Sequence, residues 1–114
     1  MKKEKFVVIE NIRQLIVNVD KYLVNFPKKD IELKQQISIT SKEMLLIAYE
    51  ANASDNKEKR RDLQEKLISR LKYIDFLINL CYDKEIINGK RYLKFGENID
   101  YILKYTNGWR KNTV

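Results

Sequence analysis

The sequence predicts an all-α protein, an antiparallel up-down-up-down four-helix bundle, on three observations. Apolar residues recur at three- and four-residue steps through four long stretches, the spacing that gathers side chains on one side of a helix. Only three glycines and one proline punctuate 114 residues, as expected of a few long elements joined by short turns. Alternation with period two, which a half-buried strand requires, runs nowhere for more than a few residues. The length suits one domain, residues 1–114, built on one core.

The first helix is expected from about Lys5 to Phe26, with Val8, Ile9, Ile12, Leu15, Ile16, Val19, Tyr22 and Leu23 on its apolar side. Phe26-Pro27 should end it, because the residue before a proline is pushed out of the helical region. The second, about Asp30 to Ala53, repeats through Leu33, Ile37, Thr40, Met44, Ile47 and Ala51, with Asp30 as its expected N-cap. Ala53-Ser54-Asp55-Asn56 is the clearest turn, since its small polar residues favour local side-chain to backbone hydrogen bonds, and Asp55 or Asn56 can cap the next helix. The third, about Lys57 to Tyr82, carries Leu63, Leu67, Leu71, Ile74, Ile78 and Cys81. After a turn at Asp83 to Gly89, the fourth runs from about Lys90 to Tyr105 through Tyr92, Phe95, Ile99, Ile102 and Leu103. Asn107-Gly108 reads as a left-handed C-terminal stop, leaving Trp109 and a basic tail beyond it. Short connections make sequential helices pack antiparallel, which is why the up-down-up-down order is expected.

Charge points towards a polyanionic partner. There are 23 Lys and Arg against 16 Asp and Glu, a net charge of +7 that no histidine modulates. The excess gathers towards the C-terminus, where Lys84, Lys90, Arg91, Lys94, Lys104, Arg110 and Lys111 face only Glu85, Glu97 and Asp100. On the fourth helix Lys90, Lys94, Tyr101 and Tyr105 fall in one sector away from the core stripe, with Arg91 and Asn98 at its margin. Cations interleaved with rings suit phosphates and unstacked bases. The candidate nucleic-acid contacts are therefore Lys90, Arg91, Lys94, Lys104, Arg110 and Lys111, with Tyr101 and Tyr105 for stacking. Lys57, Arg60 and Arg61, at the start of the third helix, form a secondary patch. Around that patch Glu58, Asp62 and Glu65 neutralise part of the charge, which favours a salt-bridged, solvated face there.

One apolar stripe per helix fills a bundle core, yet several helices carry more. Ile39, Leu46 and Tyr49 on the second helix lie opposite its main stripe, Tyr73, Phe76 and Leu80 widen that of the third, and Phe6, Val17 and Val24 lie off that of the first. The first two sets are the candidate oligomer interface, and a homo-oligomer is expected.

The sequence offers no enzyme inventory. Without histidine, the single Cys81 has no imidazole partner and no second thiolate for a disulfide or metal site, so a buried structural thiol is expected. Gly89, Gly96 and Gly108 do not form a phosphate-binding loop. Glu43 with Glu50, or Asp62 with Glu65, could meet across a bundle as in di-iron proteins, but such sites also use Glu-x-x-His motifs. No catalytic residue, metal, cofactor or small-molecule substrate is expected. Lys2 and Lys3 precede the apolar Phe6–Ile9 cluster, but Glu10, Arg13 and Asp20 interrupt it, so neither a signal peptide nor a membrane span is expected and the cytoplasm is the default.

Asn25-Phe26-Pro27-Lys28-Lys29, a helix ending Glu50-Ala51-Asn52, the Arg91-Tyr92 opening of the last helix and the closing Gly108-Trp109-Arg110-Lys111 occur in an order that resembles the Avd-like four-helix bundle proteins, the accessory variability determinants of diversity-generating retroelements. The resemblance covers nearly the whole chain. Related proteins encoded in bacterial ribosomal RNA intervening sequences share the Phe-Pro turn but usually carry a small-residue stretch in the second helix, where this chain has Thr40-Ser41-Lys42-Glu43-Met44. It departs from the Avd-like pattern at Asp30-Ile31 and Leu33-Lys34, and has Asn107-Gly108 where a double glycine is usual. The resemblance implies a homopentamer with a positive surface that associates, without catalytic residues, with a retroelement reverse transcriptase and its template RNA. An oligomeric interaction module of the intervening-sequence type, binding no nucleic acid, is the alternative. RNA versus DNA, subunit number and sequence specificity stay open.

Overall fold

The computed structural model describes residues 2–113, with side chains from Glu4 to Thr113, so the Lys2 and Lys3 side chains expected ahead of the Phe6–Ile9 cluster lie outside the described residues. The chain forms four α-helices and no described strand: α1 (Lys2–Tyr22), a 3-10 turn at Lys28–Asp30, α2 (Ile31–Ala53), α3 (Lys57–Asp83) and α4 (Gly89–Lys111). Consecutive helices pack together and α1 also packs on α4, closing a ring of four. The extents, 44 × 23 × 19 Å, match this arrangement. A helix of α3's length spans about 40 Å, and two helix diameters measure about 20–24 Å.

The apolar stripes meet in one continuous core. Val8, Ile12 and Leu15 of α1, Ile37, Met44 and Ala48 of α2, Leu67, Leu71 and Ile74 of α3, and Phe95 and Ile102 of α4 are all but fully buried. Burial of each of these side chains larger than alanine stabilises the bundle by about 1.5–3 kcal/mol relative to leaving it in water. Several polar residues are buried with them, and their hydrogen bonds show why this is tolerated. Ser41 and Thr106 each donate to a carbonyl one turn earlier, Ser38 O at 2.9 Å and Ile102 O at 2.7 Å. Gln64 Nε2 donates to Thr113 Oγ1 at 3.0 Å, and that hydroxyl donates to Trp109 O at 3.0 Å.

Helix ends depart from the sequence expectation more than helix faces do. The first helix stops at Tyr22 rather than Phe26, so that buried Leu23 and half-buried Phe26 can turn onto the end of the core from a non-helical segment. Asp30 makes no side-chain cap to α2. It is buried instead, and its Oδ1 pairs with Lys84 Nζ at 3.2 Å, tying the start of α2 to the residue following α3. Of the two candidate caps for α3 the cap is Asn56, whose Oδ1 accepts the Lys59 N–H at 2.9 Å. The turn at 84–88 carries its one positive φ at Glu85, and Asn88 Oδ1 caps α4 by accepting the Arg91 N–H at 2.8 Å.

The largest correction concerns the end of α4. The helix does not stop at Asn107-Gly108 but continues to Lys111, and no described glycine has positive φ. Gly108 serves close approach instead, because the Glu4 carboxylate of α1 occupies the space a side chain there would fill. Continuation of the helix turns Trp109 inward, to 4% exposure, and sets Thr113 against Gln64.

Candidate nucleic-acid interface

The structure divides the sequence-derived cations between the two ends of α4, about 30 Å apart at 1.5 Å rise per residue. At its far end Arg110 and Lys111 join Lys57 and Arg61 around two open crevices of about 530 and 600 Å³, whose shared wall is Arg61, while Arg60, one residue earlier, lines neither. Much of this patch is engaged structurally. Arg60 Nε donates to the Ser54 carbonyl at 3.1 Å, Arg61 Nη2 to the Thr113 carbonyl at 2.9 Å, and Arg110 Nη1 meets Glu65 Oε2 at 3.2 Å. Asp55, Glu58 and Glu65 line the same crevices. Three of the five cations expected to contact phosphate here therefore fasten the ends of α3 and α4, and the carboxylates offset the field of the rest.

The opposite half of α4 is built differently. Its carboxylates Glu97 and Asp100 line a groove shared with Asp75 of α3. Partial burial, and then the neighbouring Asp100 charge, push the Asp75 carboxyl above the usual aspartate range. Sidedness follows from helical spacing. Residues 91, 94, 98, 101 and 105 lie on the side of α4 turned away from that groove and towards α1. The contacts agree: Arg91 Cζ sits 3.3 Å from the centroid of the Tyr22 ring, and Asn98 Nδ2 reaches Asn11 O at 3.5 Å. Along this α1/α4 seam lie the cations Lys21, Arg91 and Lys94, the amides of Gln14, Asn18 and Asn98, and the rings of Tyr22, Tyr101 and Tyr105. Lys90 and Lys104 are exposed on the outer face of α4 beside it.

The local potential is legible in Tyr22, whose hydroxyl is held below the usual phenol range by Lys21, through a hydrogen bond and its charge, and then by Arg91. Lys21 Nζ is 5.2 Å from the Tyr22 ring and Lys104 Nζ is 5.6 Å from that of Tyr105. The rings of Tyr101 and Tyr105 are 4.8 Å apart but tilted by 59°, and Tyr105 is partly packed on the core, so the two do not form a flat double platform. A parallel pair occurs elsewhere: Tyr82 and Tyr92 stack at 4.4 Å and 12°, with Tyr92 fixed by donating to Asn79 Oδ1 at 2.6 Å.

Sequence periodicity finds α4's share of the seam and misses α1's. It gives Lys21 no role, and it places Tyr22 on the core side of α1, where the ring is indeed partly packed, without revealing that Arg91 covers that ring, because nothing local to either residue says that the first and last helices are neighbours.

The second set of expected contacts, the surplus apolar faces, is exposed with one exception. Ile39, Leu46 and Phe76 are 59, 60 and 54% accessible, and Tyr49 and Tyr73 are also exposed. Leu80 departs from this set, being half-buried against the core. Glu43 Oε1 and Arg70 Nε, 2.7 Å apart, link α2 and α3 across this side of the bundle. That pair also takes Glu43 away from any carboxylate cluster with Glu50, as the Arg110 pair does for Glu65 with Asp62. Among the described residues no three acidic or thiol side chains gather as a metal site requires. Cys81 is buried, which together with the Asp30 charge raises its thiol to about 11. No described helix is long and apolar enough to cross a membrane.

Compared with protein-family models, curated proteins and solved structures, the chain matches none.

Proposed function

We propose that this protein is a non-catalytic nucleic-acid-binding accessory factor whose α1/α4 seam takes the polyanion. The observation that carries the reading is segregation of charge along the first half of the seam: Lys21, Arg91 and Lys94 stand there with rings and amides on the α1 side of α4, while Asp75 and Asp100 line the groove on the α3 side, with Glu97 at its outer edge and Glu4 held at the other end of the seam by Asn112. Phosphates are drawn to the first side and repelled from the second. The resemblance to Avd-like proteins extends the proposal to a retroelement reverse transcriptase and its template RNA in the cytoplasm as the partner complex.

The proposal includes an up-down-up-down topology. Pairs joining neighbouring helices support it, because residue numbers fall along one helix as they rise along the next: Asp30 with Lys84 and Glu43 with Arg70, Asn79 with Tyr92 and Glu65 with Arg110, Asn11 with Asn98 and Glu4 with Asn112. It also includes self-association through Ile39, Leu46, Tyr49, Tyr73 and Phe76, all of which are exposed on α2 and α3. Pentamer is the state the resemblance implies. Light scattering on the eluting protein should give a mass several times 13.7 kDa, and a monomeric mass at micromolar concentration would remove this part of the proposal.

A gel shift with labelled RNA tests the binding itself. Retardation at low ionic strength should fade steeply as salt rises, with log affinity falling by about 0.7 per log salt for each phosphate neutralised on a single strand. No retardation at 20–50 mM salt, roughly where such contacts are strongest, overturns the nucleic-acid reading in favour of a protein-docking module.

A further inference from the structure

We infer that the seam is built for single-stranded nucleic acid, with an unpaired base stacking in line with the Arg91 guanidinium and the Tyr22 ring; this rests on the nucleic-acid reading above. The distance decides the geometry. A guanidinium carbon 3.3 Å from a ring centroid is at the thickness of two stacked π systems, and an edge-on guanidinium would drive a nitrogen into the ring. Arg91 therefore lies flat on Tyr22, held by a residue of the other helix.

Its partners set it apart from the other arginines whose contacts are described. Arg60 and Arg61 donate to backbone carbonyls, and Arg70 and Arg110 meet carboxylates. Arg91 forms no ion pair with any described carboxylate, and what positions it is a ring. A cation fixed in orientation without its charge being neutralised is preorganised for an anion, and one fixed as a flat plate is also preorganised for another flat group. A nucleotide supplies both, and the plate is useful only for a base outside a duplex, since paired bases have their faces covered by their neighbours.

The remainder of the seam agrees with unpaired bases. Asn18 and Gln14 present amides whose mutual hydrogen bond, 3.1 Å, is solvent-exposed and exchangeable for a base edge. Tyr101 lies about 15 Å further along α4 by helical rise, a span of a few nucleotides. Lys21 and Lys94 flank Arg91 and would meet the phosphates on either side.

The discriminating variant is Arg91→Lys, which keeps the charge and removes the plane. Fluorescence anisotropy with a labelled single-stranded RNA and a blunt-ended RNA duplex of matching length, at one low salt concentration, should show the single strand bound more tightly. Arg91→Lys should lower single-strand affinity by about 5- to 100-fold, the range that loss of one stacked base produces, and leave duplex affinity and the salt slope within about twofold. A 2-aminopurine placed in the single strand should be quenched by the parent protein and less so by the variant. Unchanged single-strand binding by Arg91→Lys, or a preference of the parent protein for the duplex, overturns the inference and leaves a backbone-reading seam. Failure of the parent protein to bind either RNA overturns the nucleic-acid reading as well.

Discussion

Replacing Trp109 with alanine should cost about 3–5 kcal/mol of folding free energy, the range for deleting a buried large aromatic side chain. A domain of ordinary stability holds only about 5–15 kcal/mol, so the variant should lose a large share of its stability. The last turns of α4 are the reason. Trp109 is 4% exposed and belongs to the main core, and the turn after it carries the Thr113 carbonyl and hydroxyl that receive Arg61 and Gln64. Loss of the indole therefore leaves a cavity and loosens the hydroxyl that accepts from the buried Gln64 amide nitrogen. Urea denaturation followed by circular dichroism measures the effect. A midpoint shift worth less than about 1 kcal/mol would mean that the C-terminal turns are dispensable.

The second large effect is electrostatic. Reversing the two seam lysines and one beside them, Lys21→Glu, Lys94→Glu and Lys104→Glu, should reduce single-stranded RNA affinity at low salt by at least tenfold and make the salt dependence shallower by about two in log–log slope, three contacts at about 0.7 each. The same number of reversals at the far end, Lys57→Glu, Lys59→Glu and Lys111→Glu, is the control. It changes net charge equally but acts among Asp55, Glu58 and Glu65, so its effect should be several-fold smaller. Equal losses from both triples would show that total charge, rather than the seam, governs binding. None of the six lysines has a described carboxylate partner, so neither triple breaks an ion pair of the fold.

Legibility in the sequence divides along physical lines. Faces are legible, because a residue's place in a 3.6-residue period depends on its own helix: Ile12, Ile37, Leu71 and Ile102 are in the core where spacing places them. Ends are less so. Phe26-Pro27 marks where a helix cannot continue, yet α1 stops sooner because Leu23 and Phe26 have a core to cover. Asn107-Gly108 has the composition of a stop and lies within α4, because Trp109 has a core to reach. In each instance tertiary burial outweighs a local preference of about 1 kcal/mol. The candidate site divides likewise. That α4 carries exposed cations and rings follows from periodicity, whereas the engagement of Arg60, Arg61 and Arg110 by oxygens of other segments depends on contacts across the fold. Lys21 and Tyr22 cannot be found from within their own helix, since their role depends on Arg91, some seventy positions later.

That separation also bears on how the molecule comes together. Contacts of α1 with α2, α2 with α3 and α3 with α4 can form between adjacent stretches of chain, each across a small loop. The α1/α4 junction alone requires closure of nearly the entire polypeptide, and although loop entropy grows only logarithmically with length, that step draws on all the earlier ones. The clasp is thus the piece of the ring whose two sides lie furthest apart in the sequence. A strand of nucleic acid lying across it would staple the two most distant helices together, so that occupancy and cohesion of the protein rise and fall as one.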